Sequence, residues 1–142
     1  METKNWIYSD GGRKDAGFKG TTGDCVVRAI CNATNGDYKK VYDYVNSFAK
    51  SFEKIKKSGS RTGVVKHTSR VMMEDLGFKW YPLMGIGTGC KTHLKADELP
   101  SGIIICKLSK HLTCVKDGII YDTYDCSREG TRCVYGYWRM EE

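Results

Sequence analysis

The sequence predicts a single α+β domain, with helices in its first half and a sheet in its second half. Apolar residues recur at helical spacing as far as Leu76, after which the chain changes to short apolar runs of strand length. An Asp-Gly pair at 117–118 separates two of these runs and indicates a β-hairpin. Helices followed by strands, rather than alternating with them, are typical of the α+β class.

The length and composition set the broad class. The 142 residues are 40% hydrophobic and 28% charged, which predicts one globular domain over 1–142 with no linker or repeat. No apolar run approaches the roughly 18 residues that cross a bilayer. The first residues lack the basic start and apolar stretch of a secretory signal. We therefore expect a cytoplasmic protein with no membrane partner.

Three helices are expected after a turn-rich arm over 1–23. The first spans 24–34, with Thr22 or Asp24 as its N-cap and Asn35-Gly36 as its end. The second begins at the cap Asp37 and ends near Phe52. A polar loop covers 56–62, and the third helix spans 64–76 with Gly77 after it.

Short strands are expected in the second half of the chain. The apolar and alternating segments that predict them lie at 78–81, 102–108, 111–116, 119–125 and 134–138. A glycine-rich surface loop is expected at 84–93, and a single helical turn at 95–99 is closed by Pro100. These strands are expected to form an antiparallel sheet.

Cysteine use points to a reducing compartment. The seven cysteines are an odd number and include no Cys-x-x-Cys, so most are expected to be free thiols. Cys31, Cys106 and Cys114 are interpreted as small buried apolar residues. The spacings of the later cysteines match no common zinc pattern, and no metal or other cofactor is expected.

Cys25 is the candidate nucleophile because it opens the first helix. Unpaired N–H groups and the helix dipole favour a thiolate at this position. A histidine elsewhere in the chain can act as its general base. His111, which opens a strand, is the candidate.

The hairpin register adds a third residue to this pair. A two-residue turn at 117–118 pairs Thr113 with Asp122 and His111 with Tyr124, which puts all four on one face of the sheet. Asp122 then lies diagonally beside His111, where a carboxylate can orient the imidazole and stabilise its cation. Asp125 points to the opposite face.

Other sites compete with this interpretation. His67 and His93 lack a carboxylate partner that the sequence can place. A metal site formed by His111, Asp122 and a cysteine is an alternative use of the same residues. The net charge of +6 is concentrated between Lys50 and Arg70, which suggests a nucleic-acid footprint, although a solvated helix face and loop are the favoured explanation.

These residues resemble the papain-like cysteine peptidase superfamily. That superfamily has a helix-opening cysteine early in the chain, followed by helices and a sheet that carries His and then Asp. The segment Thr22-Gly23-Asp24-Cys25-Val26-Val27-Arg28-Ala29 is similar to the Asp-Gly-Asn-Cys-Leu-Phe-Arg-Ala box of ovarian-tumour-type deubiquitinases. Asp24-Cys25 is also similar to the Asp-Cys of bacteriocin-processing peptidases.

A further resemblance covers most of the chain. Small phage and bacterial proteins without an assigned function have a similar Asp-Gly-Gly-Arg arm, Gly-Asp-Cys box and Asp-Thr-x-Asp end, here at 10–13, 23–25 and 122–125. This resemblance implies the host cytoplasm as the location if the chain is phage-encoded.

The papain-like resemblance implies a thiol hydrolase. Cys25, His111 and Asp122 would cleave a peptide or isopeptide bond of a protein or peptide substrate through a thioester, and amidase or transferase chemistry is the open alternative. Papain uses a glutamine to bind the oxyanion, and this chain contains no glutamine. The Cys25 N–H and a donor from 19–22 are expected to replace it, with Thr22 and Asp24 as residues near the site.

The alternative is a non-catalytic accessory protein of phage type that binds a host protein or nucleic acid through its basic surface. Nucleic acid is the less favoured partner, because no nucleic-acid motif accompanies the charge. The oligomeric state is left open by the sequence.

Overall fold

The computed structural model describes residues 5–19, 24–52, 66–85 and 87–140. Three helices, α1 (Cys25–Thr34), α2 (Tyr38–Phe52) and α3 (Lys66–Asp75), precede most of the strands. The strands are β1 (Trp6–Tyr8), β2 (Phe78–Pro82), β3 (Ile103–Leu108), β4 (His111–Lys116), β5 (Ile119–Asp122) and β6 (Gly136–Met140). A 3₁₀ turn covers Ala96–Glu98. The α+β class is confirmed.

The sheet is mixed, so the expectation of an antiparallel sheet is wrong at one edge. The strand order among the described residues is β1-β5-β4-β3-β6-β2. β1 lies parallel to β5, with Tyr8 beside Asp122, and the other pairs are antiparallel. β1 comes from the arm that the sequence assigns to turns. Three residues are too few to show a strand period.

The β4–β5 hairpin has the predicted register next to its turn, but the predicted pair of His111 with Tyr124 is not among its strand pairs, because β5 ends at Asp122. Lys116 pairs with Ile119 and Val115 with Ile120 across the turn. Asp117 and Gly118 both have positive φ, 49° and 82°, as the tight turn that matches strand twist requires. A Cβ on Gly118 would also come within 2.7 Å of the Ala96 side chain. The turn sequence therefore sets which residues of the two strands meet.

Two apolar clusters lie on the sheet. One joins α1, α2 and α3 to Ile105, Leu112 and Trp138. The other contains Ile104, Cys106, Leu108, Val115 and Ile120, together with Leu94, Cys126 and Val134. Because side chains alternate along a strand, Ile104 and Ile105 serve different clusters. The sheet is therefore buried on both faces.

The helix ends largely follow the expected signals. Asn35 ends α1 in the left-handed conformation with φ 56°. The Asp37 carboxylate accepts a hydrogen bond from the Lys40 N–H at 3.0 Å and caps α2. The Asp24 side chain makes no capping hydrogen bond, because it is used by the buried contacts described below. The polar loop at 56–62 and the expected start of α3 at 64–65 lie outside the described residues.

The last strands differ from expectation at their ends. β5 ends at Asp122 rather than at 125, because the Thr123 N–H donates to the Asp122 carboxylate and turns the chain. β6 covers Gly136–Met140 rather than 134–138. Val134 instead donates its N–H to the Thr92 carbonyl in the neighbouring loop.

The cysteines divide into one disulfide and five free thiols. Cys90 is bonded to Cys133 across 43 residues, and Cys25, Cys31, Cys106, Cys114 and Cys126 are free. Cys31, Cys106 and Cys114 are buried as expected, and burial raises the pKa of the Cys31 and Cys114 thiols to about 12. Within the described part of the chain, no helix has the length and apolar character to cross a bilayer.

Candidate active site

The hairpin and α1 bring Cys25, His111 and Asp122 together. Cys25 is the first residue of α1, His111 the first of β4 and Asp122 the last of β5. The start of β4 and the end of β5 lie at the same end of the sheet because the strands are antiparallel. α1 packs along β4, so the N-terminus of the helix reaches this end. The catalytic roles of the three residues stay predictions.

Asp122 is held as a buried carboxylate. His111 Nε2 lies 2.7 Å from Oδ2, the Thr113 hydroxyl donates to the same oxygen at 2.8 Å, and the Thr123 N–H donates to Oδ1 at 2.7 Å. Burial alone would raise the pKa of Asp122. The hydrogen bonds and the His111 charge outweigh burial, so the pKa is lowered below its ordinary value. An ionised carboxylate only accepts hydrogen bonds, so His111 Nε2 carries a proton.

The Cys25 thiol and the His111 ring are close enough for each to shift the pKa of the other. Because Nε2 is occupied by Asp122, Nδ1 is the ring nitrogen left to exchange a proton with a thiol. Burial alone would raise the pKa of Cys25, yet His111, the Leu112 backbone and the Arg28 charge together lower it below 9.0. Burial alone would lower the pKa of His111, but hydrogen bonds of its protonated ring to Asp122, Cys126 and Cys25, together with the Asp122 charge, raise that pKa to about 11. The imidazolium form of His111 is therefore favoured at neutral pH, and its charge shifts Cys25 towards the thiolate.

Arg28 lies one turn along α1 from Cys25 and joins two buried carboxylates. Its guanidinium contacts Asp24 Oδ1 and lies 3.4 Å from Asp122 Oδ1. The Arg28 side chain is 10% exposed, and the side chains of Asp24 and Asp122 are 1% and 2% exposed. Arg28 thus fixes the Asp122 oxygen that does not face His111. The sequence reasoning missed Arg28, although its position four residues after Asp24 was a readable signal.

Asp24 anchors this network through both of its carboxylate oxygens. Its second oxygen accepts a hydrogen bond from the Tyr38 hydroxyl and lies 3.6 Å from the Arg13 guanidinium. Arg13 also donates to Tyr38 at 2.9 Å, which connects the N-terminal arm to α2. Asp24 was predicted as a residue near the site, and its carboxylate is fully engaged behind Cys25. Thr22, the other such residue, lies outside the described residues, as do 20 and 21.

Cys126 is a second sulfur beside His111 that the sequence reasoning missed. It is buried, and its sulfur lies within 4.8 Å of ligand atoms of His111 and Asp122, which makes this set a candidate metal site. Asp122, however, already accepts hydrogen bonds from Thr113, Thr123 and His111 and faces the Arg28 cation. A metal ion would have to displace these donors beside a positive charge. The arrangement fits a hydrogen-bonded base better than a metal ligand.

The competing candidates lie elsewhere. His93 Nδ1 is 3.2 Å from the Glu98 carboxylate in a partly exposed loop. His67 lies in the first turn of α3, and its side chain is outside the described residues. Asp125 is exposed, and its carboxylate accepts the Ser127 N–H at 3.0 Å. Most of the basic cluster from 50 to 70 is likewise not described, and Arg70 pairs with Glu74 at 3.7 Å.

Comparison with known proteins adds no relative. No protein-family model matches the chain, and no curated protein and no solved structure matches it either.

Proposed function

We propose that the chain is a papain-like cysteine hydrolase that acts on peptide or isopeptide bonds through Cys25, His111 and Asp122. The observation that carries this proposal is the series of contacts from the buried Asp122 carboxylate through the buried His111 ring to the partly buried Cys25 thiol at a helix N-terminus. A nucleophile, a base and a group that orients the base are the parts that acyl transfer to a thiol needs.

The first half of the reaction forms a thioester. The Cys25 thiolate donates an electron pair to the substrate carbonyl carbon, and the C=O π electrons move to the oxygen. When the oxyanion collapses, the C–N bond breaks, and the leaving nitrogen takes the proton from His111 Nδ1. An amine is released and the acyl group stays on sulfur.

The second half returns the enzyme to its starting state. The thioester sulfur has no charge, so one of the interactions that raise the pKa of His111 is lost. Neutral His111 then accepts a proton from water as the water oxygen attacks the thioester carbon. Collapse breaks the C–S bond, releases a carboxylic acid and restores the thiolate–imidazolium pair.

Stabilisation of the oxyanion has one identifiable contributor. The first N–H groups of an α-helix have no partner within the helix. Among the described residues, no acceptor contacts the N–H of Cys25. This N–H lies on the residue whose sulfur attacks, so it can donate to the oxygen that becomes negative.

Acylation by a small activated ester tests the proposal without a known substrate. The protein is incubated with 4-nitrophenyl acetate, and peptides are analysed for acetyl groups on sulfur. We expect rapid acetylation of Cys25 and its loss in Cys25→Ala, with Cys31→Ala as a matched control from the same helix. Cys31 is 3% exposed, and the pKa of its thiol is about 12. Equal acetylation of Cys25 and the other free cysteines would contradict the proposal.

A further inference from the structure

We propose that a cleft beside the triad binds an acidic segment of a peptide substrate, next to the bond that Cys25 attacks. This inference rests on the proposed function and adds the chemical class of the substrate. The cleft has a volume of about 610 Å³ and is bounded by the arm over 10–19, the N-terminal part of α1 and the residues after β5.

The cleft reaches the catalytic residues through their neighbours. Asp24 precedes Cys25, and Arg28 follows it by one turn; both line the cleft. On the opposite side, the cleft is lined by Thr123 and Tyr124, which follow Asp122 at the end of β5. The Tyr124 ring lies 5.6 Å from the His111 ring, measured between centroids. A chain bound in the cleft would therefore pass beside the Cys25–His111 pair.

The charge of the cleft is positive where a ligand can reach it. Four cations and two carboxylates line it. Arg13 and Arg28 are buried, and their two charges are balanced by Asp24 and by Asp122, which lies 3.4 Å from Arg28. Lys14 and Lys19 are exposed, and no described carboxylate lies within ion-pairing distance of either ammonium group.

The remaining carboxylate offsets only part of the charge of the two lysines. Asp10 accepts the backbone N–H groups of Gly12 and Lys14 at 2.9 and 3.0 Å, which holds its single negative charge against the arm. Among the described residues, Lys14 and Lys19 therefore leave an excess of positive charge on this segment. Glutamate and aspartate side chains are the peptide groups that complement them.

Aromatic side chains supply the apolar part of the site. Tyr8 is 63% exposed and Tyr124 is 47% exposed, and both line the cleft. Phe18 lies on the arm side and packs against Tyr38 at 5.1 Å between ring centroids. Exposed tyrosines beside lysines suit a peptide that alternates acidic and apolar residues. A nucleic acid needs a longer track of phosphate contacts than two lysines provide.

Binding to the Cys25→Ala protein tests the inference separately from catalysis. Fluorescein-labelled peptides with alternating Glu and Tyr, or alternating Lys and Tyr, are titrated and followed by polarisation. We expect the Glu peptide to bind at least about tenfold tighter, and added salt to weaken its binding. A labelled single-stranded oligonucleotide of similar length is titrated in parallel.

Two charge-reversal variants with the same net charge complete the test. Lys14→Glu/Lys19→Glu is expected to weaken binding of the Glu peptide by about fivefold or more. Lys40→Glu/Lys91→Glu, at exposed positions outside the cleft lining, is expected to change binding by less than about twofold. Equal loss in both variants, no preference for the Glu peptide, or tighter binding of the oligonucleotide would overturn the inference. If the Glu peptide binds as expected but 4-nitrophenyl acetate does not acylate Cys25 of the parent protein, only the proposed function is refuted.

Discussion

Removal of Arg28 is the perturbation whose effect on stability follows most directly from the structure. Arg28→Met keeps a long apolar stem but leaves Asp24 and Asp122 without their shared cation. Removing one partner of a buried ion pair typically costs about 3–5 kcal/mol. Asp24 keeps Arg13 at 3.6 Å and Asp122 keeps His111 at 2.7 Å, so the expected loss lies towards the lower end of this range. Small domains are stable by about 5–15 kcal/mol, so the loss is a large fraction of the total.

Denaturant unfolding measures this loss. We expect Arg28→Met to lower the free energy of unfolding by about 3–5 kcal/mol. Arg70→Met is the matched control, since Arg70 pairs with Glu74 at the surface and its side chain is 66% exposed; its loss should stay below about 1 kcal/mol. In Asp24→Asn/Arg28→Met the loss should be smaller than the sum of the single losses by at least about 1 kcal/mol.

Two results would refute this reasoning. A loss below about 1 kcal/mol for Arg28→Met would show that the buried carboxylates do not depend on Arg28. Strict additivity of the Asp24 and Arg28 variants would show that the two groups do not interact. Since the Arg28 charge also lowers the pKa of Cys25, the variant should shift the pH profile of Cys25 alkylation upwards.

Three further predictions follow from the same structure. His111→Gln should slow acetylation of Cys25 by about 10²–10⁴-fold, whereas His93→Gln should leave the rate unchanged, as measured with 4-nitrophenyl acetate. Thr113→Val removes the hydroxyl that donates to Asp122, so it should lower the free energy of unfolding by about 1 kcal/mol near neutral pH. Because the pKa of Asp122 is lowered below 3.8, its stabilising contribution is present above that pH and is lost as the pH falls through its folded-state pKa. The difference between Thr113→Val and the parent protein in urea unfolding should therefore shrink in acid, and a constant difference would contradict the account. Gly136→Ala would place a Cβ against the Trp80 ring and should lower the free energy of unfolding by about 1–3 kcal/mol. Gly85→Ala, whose added Cβ has no contact under 3.7 Å, should lower it less. Equal melting temperatures of the two variants would contradict this expectation.

Local sequence signals predicted the part of the site that lies on the hairpin. Asp117-Gly118 defined a two-residue turn, and strand alternation then placed Asp122 beside His111. The 2.7 Å contact between these side chains agrees with that reasoning. The spacing involved is 11 residues, short enough for turn geometry to determine it.

The same local signals do not predict contacts between residues that are far apart in the sequence. β1 pairs with β5 more than a hundred positions away, and its three residues carry no period. The Cys90–Cys133 disulfide joins two residues that are 43 positions apart, and no rule of cysteine spacing predicts this pair. The sequence assigns Arg28 no role beyond its place in the segment similar to the deubiquitinase box, because nothing local shows that a charged residue is buried between two carboxylates. Such contacts depend on how the elements pack, which a single sequence does not encode locally.

The central claim is that Cys25 is a thiolate stabilised by His111, and its alkylation rate as a function of pH tests this most directly. The protein is labelled with iodoacetamide from acidic to alkaline pH, and modified peptides are quantified for Cys25 and for the other free cysteines. The account predicts that the midpoint of the Cys25 profile lies below pH 9.0, its ordinary pKa, and that His111→Gln moves the profile to higher pH. A profile for Cys25 centred at or above 9.0, or one unaffected by His111→Gln, would contradict it.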